Sequence, residues 1–323
     1  MREVIFIKQN KEKWLGIEEV LSGKKHKNPD ELSSLYINLI NDLSFAQTYY
    51  PKSKTTVYLN YLATKIYQKI YKTKRVERNR VKYFFLQEVP LICYHYRRYL
   101  LTAFLLFVLF TAVGVVSAAY DPDFVRLILG DGYVNMTLEN IKDGNPIAVY
   151  ESGSNWGSAI AIISNNLQVG ARLFFFGVFA GIGTIYALMM NCIMLGSFQY
   201  FFGEQGELVR SMRGIWVHGA FEISGMIIEA MAGLILGASI LFPKTYSRLN
   251  SFKIGFKNSF KIFLSTIPFT IVAGILEGYV TRHALDMPLV LNLLIIFGTF
   301  GFIVYYYVIY PRIIYKKLKN DIS

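Results

Sequence analysis

Three long stretches of this chain contain no Asp, Glu, Lys, Arg or His: residues 99–119, 173–202 and 287–311. About 20 apolar residues in a helix cross the ~30 Å hydrocarbon core of a bilayer. A helix in a soluble protein keeps a polar face over such a length, whereas these stretches are apolar all round. They therefore read as membrane-spanning helices. Two further stretches are apolar with isolated charges. Residues 214–243 hold His218, Glu222 and Glu229, and residues 262–281 hold Glu277. The expected spans are thus 99–119, 173–202, 214–243, 262–281 and 287–311, with a shorter, more polar membrane-associated helix at 156–171.

The charges are distributed unevenly. Residues 1–98 carry 19 Lys and Arg against 9 Asp and Glu, so most of the formal net charge of +12 lies there. The segment 120–171 is acidic. Lys and Arg are retained on the cytoplasmic side of a membrane, which predicts a cytoplasmic N-terminus. The cations after Pro243 (Lys244, Arg248, Lys253, Lys257, Lys261) and those of the tail (Arg312, Lys316, Lys317, Lys319) place both of these segments on the same side. An even number of crossings must then precede Lys244, yet only three apolar stretches do. One of them is expected to be re-entrant, or the 156–171 helix to enter as a half-span; non-helical backbone at that depth needs protein or a polar cavity around it. No signal peptide is expected, since the first apolar stretch begins near residue 99. The two cysteines, Cys93 and Cys192, predict neither a disulfide framework nor a zinc motif.

The first 98 residues read as a basic helical domain. Trp14, Ile17, Val20 and Leu21 recur at helical spacing, as do Leu59, Leu62, Ile66 and Ile70, and prolines punctuate between the stripes. Four or five short helices are expected. Eight cations lie between Lys65 and Lys82. Of these Lys69, Lys72, Lys74, Arg75, Arg78 and Arg80 are expected to meet anionic lipid headgroups, at roughly 1 kcal/mol per cation near the surface. No nucleic-acid-binding module is present to make such a run a DNA or RNA site.

The chemistry of the membrane part centres on His218, Glu222, Glu229 and Glu277. At about 100° per residue, Glu222 lies about 40° and Glu229 about 20° from His218 around the helix. All three share one face with Gly225, Ala232 and Gly233, and small residues let helices approach closely in lipid. A charge at the bilayer centre costs at least ~2.5–3.5 kcal/mol, so such residues face protein or a cavity and mark function. Asn165, Asn166 and Asn191 are expected to add amide hydrogen bonds. Three readings stand: a polar network that fixes helix packing, a proton or substrate site of a transporter, and a catalytic or metal site. The zinc-protease pattern needs two His flanking a Glu, and only His218 is present. No phosphate loop, nucleophile elbow or cysteine cluster occurs. No catalytic residue, metal or cofactor is therefore expected.

The ordered series of these residues resembles the stage II sporulation protein M family of integral membrane proteins. In the first domain it rests on Arg2, Phe6-Ile7, Trp14, Leu21, Leu32, Leu35-Tyr36, Asp42-Leu43, Tyr58-Leu59-Asn60, Leu62 and Tyr71. In the membrane part it rests on Asn165-Asn166, Gly181-Ile182-Gly183-Thr184, Asn191, Gly196, His218-Gly219, Glu222 and Leu276-Glu277-Gly278. The chain departs from the family at Asn191-Cys192, where Asn-Gly is usual. The resemblance implies an all-α fold: a helical bundle (1–98) followed by a polytopic transmembrane bundle (99–323) in the cell membrane, to which the charge distribution adds that the first domain and both termini are cytoplasmic. It further implies a non-enzymatic scaffold of an envelope-associated, cell-wall-remodelling complex with protein partners. The polybasic run adds anionic lipid as a partner, and the close-packing glycines fit a homodimer and intrachain packing equally well. The alternative is a transporter or channel for an ion, small solute or lipid that uses the His/Glu cluster.

Overall fold

The computed structural model describes residues 2–22, 29–70, 79–146, 148 and 155–320, and the described residues contain helices and turns but no strand. Two compact units divide at Arg80 and Val81.

Among the described residues of 1–98 the expected number of helices is present, but three of them are long rather than short: α1 (Glu3–Leu21), α2 (Pro29–Tyr49) and α3 (Lys54–Ile70), which build the first unit. The apolar stripes of the sequence meet in one core of Phe6, Trp14, Ile17, Leu39, Leu43, Leu59, Leu62 and Ile66. Trp14 donates its indole N–H to Asp42 at 2.9 Å, which satisfies the one polar atom that this large side chain carries into the core. Lys13 pairs with the same carboxylate at 2.5 Å. Glu3 accepts from the hydroxyls of Ser53 and Thr55 at the start of α3, and these bonds hold its carboxyl below the ordinary 4.5.

The second unit begins with α4 (Arg80–Tyr83), a π-helical turn and α5 (Val89–His95), then α6 (Arg97–Tyr120). Two small helices, α7 (Pro122–Leu129) and α8 (Asp131–Lys142), follow in the acidic segment. Next come α9 (Asn155–Phe175), α10 (Ile182–Glu204), α11 (Leu208–Leu241), α12 (Arg248–Ile275), α13 (Leu289–Val304) and α14 (Tyr310–Asn320). Among the described residues, six helical segments are long and apolar enough to cross a membrane: 97–120, 156–178, 182–204, 208–241, 248–283 and 289–320.

This resolves the parity of the sequence reading. Residues 173–202 are not one span. Ala180 (φ 53°) and Gly181 (φ 82°) both adopt left-handed backbone and reverse the chain between α9 and α10. The segment expected as a short helix at 156–171 is the first part of a 23-residue helical stretch, Trp156–Val178. Four helical segments long and apolar enough to cross then precede Lys244, an even number that calls for no re-entrant piece.

The packing directions agree. Gly114 and Ala118 of α6 meet Gly196 and Phe201–Phe202 of α10, so these helices run parallel. Gly170 of α9 and Gly177, in the 3₁₀ turn that follows it, meet Glu229 and Gly233 of α11, again parallel. Between α11 and α12 the order reverses: Glu229 meets Thr266, whereas Ser239 accepts from Ser251. Arg213, near the start of α11, bonds Asn292, near the start of α13. Alternating crossings require all of these relations. The acidic segment and the basic segments consequently lie at opposite ends of the bundle. Arg210 reaches Gly144 at the acidic end, and Lys261 pairs with Glu88 toward the basic one.

α11 is the hub, with 61% of its most apolar stretch buried against 11% for α6. Glycine makes this possible. A Cβ on Gly233 would fall on the carbonyl oxygen of Leu173, one on Gly177 on that of Gly233, and one on Gly237 on the backbone of Gly181. Gly196 meets the carbonyl of Thr111 in the same way, whereas Gly203 on the same helix has open space around it. Overpacking costs about 1–3 kcal/mol. Gly196→Val is therefore expected to lower the melting temperature of the purified protein by several degrees and Gly203→Ala to leave it unchanged, read by tryptophan fluorescence in detergent.

Candidate functional site

The polar groups expected from the sequence lie where α9, α11 and α12 meet, toward the acidic end. α11 supplies His218 and Glu222, spaced one helical turn apart. Glu277 comes from the π-helical turn Leu276–Val280 that ends α12, and Thr281 follows in a short 3₁₀ turn. Such π turns recur at functional sites. Asn166 is contributed by α9.

His218 is 3% exposed, and its Nδ1 stands 2.8 Å from Oγ1 of Thr281. The Thr281 hydroxyl donates its own proton to the carbonyl of Leu276 at 3.3 Å. In the tautomer with the proton on Nδ1, the Thr281 oxygen accepts from His218 and the lone pair of the neutral imidazole lies on Nε2. Nε2 faces Glu277, 3.8 Å from its Oε2. Glu222 accepts from the side-chain amide of Asn166, and the Glu222 and Glu277 carboxyls lie close to one another. The nitrogen of His218 and one oxygen from each carboxyl lie within 4.8 Å of one another. One nitrogen and two oxygens thus converge on a space that a single cation can fill. Glu222 and Glu277 are only partly buried, so the group opens at one edge.

Glu229 stands apart from this trio. It lies seven residues further along α11, about 10 Å at 1.5 Å per residue. It is 5% exposed and accepts from Thr266 at 2.8 Å, with its carboxyl against Gly170. Asn165 is exposed, and Asn191 spends its amide on the carbonyl of Ala187 in its own helix at 2.8 Å. Neither has a bond to the cluster. Two partners went unread in the sequence, Thr281 and Thr266. Threonine is unremarkable in a membrane helix; the only signal was that Thr281 follows Glu277 by one turn.

Of the cations expected at lipid headgroups, Lys72, Lys74, Arg75 and Arg78 lie outside the described residues. Lys69 donates to the carbonyl of Val20, at the end of α1, within the first unit. Arg80 is exposed at the start of α4.

Residues 103–282 match the model of the family described as stage II sporulation protein M. The chain belongs to that family. The match takes in Asn166, His218, Glu222, Glu229 and Glu277 but not the first unit, where residues 4–72 match a separate model described as a domain of unknown function (DUF8413). The family likeness first read along the whole chain thus divides between two models. No curated protein and no solved structure matches the chain. Family membership and the six apolar helices make the protein a multi-pass membrane protein.

The Asn166–Glu222 bond ties α9 to α11 across the site. A typical hydrogen bond contributes about 0.5–1.5 kcal/mol. Asn166→Ala and Glu222→Ala are each expected to lower stability, and the double variant to be no worse than the more damaging single one. A double-mutant cycle on unfolding in detergent measures this coupling; strictly additive losses would disprove the pairing.

Proposed function

We propose that the protein is a non-enzymatic membrane scaffold of an envelope-associated complex, with both termini on the cytoplasmic side. The observation that carries this reading is the composition of the first unit. It has its own core, yet it exposes large apolar side chains one turn apart on α3: Val57 is 71% and Tyr61 58% exposed. Apolar surface left open on a unit that already has a core supports contact with a protein partner. The cations grouped at one end of the bundle support the cytoplasmic assignment and contact with anionic lipid.

A second reading, transport of an ion or small solute, is favoured by the His218, Glu222 and Glu277 cluster inside membrane-crossing helices. The two are separated by paired measurements on the full chain. For the scaffold, a photoreactive residue at 57 or 61 is expected to give a discrete cross-linked adduct in native membranes, and one at exposed Lys11 to give none. Proteoliposomes of the same protein are expected to carry no proton or solute flux. Flux in the wild type that disappears in Glu222→Gln, with no adduct at either position, would replace the scaffold with the transporter.

A further inference from the structure

We propose that His218, Glu222 and Glu277 bind one divalent first-row transition-metal cation, for which zinc is the best match. This goes beyond the scaffold reading and does not depend on it.

The donor set comes first. One imidazole nitrogen and two carboxylate oxygens suit zinc or its neighbours, whereas calcium and magnesium take oxygen ligands throughout. Zinc bonds to these atoms at about 2.0–2.2 Å, which places donors around one ion roughly 3.4 Å apart. The observed spread, within 4.8 Å, is wider than that by little more than ~1 Å. Three protein ligands leave a fourth position for water, as in open zinc sites.

The imidazole is also presented correctly. A ligating His characteristically gives its second ring N–H to a neighbouring oxygen, which fixes the tautomer and the ring plane. Thr281 is placed for that part here: its Oγ1 stands 2.8 Å from Nδ1, while Nε2 faces Glu277 at 3.8 Å. Asn166 orients Glu222 in the same manner.

Two carboxyls in contact in an apolar bundle need a compensating positive charge or a shared proton. A dication balances two carboxylates and a neutral imidazole with no charge left over. The ion would join α11 to α12 directly and to α9 through Asn166.

The test uses the full chain in lipid nanodiscs, stripped with chelator and titrated with Co²⁺ as an optical probe. The account expects visible ligand-field bands that saturate at one Co²⁺ per chain and are displaced by Zn²⁺, with a Zn²⁺-dependent rise in melting temperature. His218→Ala and Glu277→Gln lose the bands, Thr281→Val weakens affinity about 10–100-fold, and His283→Ala, altering an exposed His outside the cluster, changes nothing. Wild-type protein without bands or retained Zn²⁺ overturns the proposal whatever the variants do, and leaves a proton-sharing polar network. Bands of full strength in His218→Ala overturn it equally.

Discussion

Everything in the membrane unit depends on how closely backbones can approach α11. Lipid is as apolar as leucine, so helix association in a bilayer is driven by packing and hydrogen bonding rather than by the hydrophobic effect. Gly177, Gly233 and Gly237 remove the side chains that would hold the helices apart. The turn at Ala180 and Gly181 then lies directly on Gly237, which sets the height of α9 beside α11. That register puts Asn166 on Glu222 and Gly170 on Glu229. Thr184 reinforces it by donating to the Leu173 carbonyl across the turn at 2.8 Å.

The same register explains where the polar groups sit. Glu229 lies deepest and receives a hydroxyl from Thr266, a pairing that meets the need of a buried carboxyl for a donor. His218, Glu222 and Glu277 lie nearer the acidic end and are held together by three separate helices. The π turn at Leu276–Val280 ends α12 with Glu277 and Thr281 both on His218. Aromatic packing closes the other side of the hub, where Phe269 stacks on Phe221 and meets Phe302 edge-on.

What the sequence disclosed follows from what is costly in a membrane. Charge-free runs are unambiguous because few other structures tolerate them, so the membrane unit was legible almost at once. His218 and Glu222 were legible because ionisable groups at helical spacing are rare at that depth, and Glu277 for the same rarity. The break at Ala180 was not. A run rich in Gly177, Gly181 and Gly183 fits close helix packing as well as a reversal, and Ala180 in left-handed backbone has no signature. Residues 173–202 therefore read as one helix. The polar stretch around Asn165-Asn166 looked too weak for a span because Asn166 is held by Glu222, a contact invisible along the chain. Asn191 misled in the opposite direction, since an amide can satisfy itself on its own helix. In the first unit the stripes gave the core, but their number did not give helix length.

The central claim is that Trp156–Val178 crosses the whole membrane and turns back at Ala180–Gly181. Single cysteines test it most directly, introduced at Lys142, Phe179 or Lys244 in a Cys93→Ala, Cys192→Ala background and labelled in sealed vesicles with an impermeant maleimide. The account predicts that positions 179 and 244 react from one side and position 142 from the other. Labelling of 142 and 179 from the same side would show that the segment is re-entrant and would contradict the six-crossing arrangement.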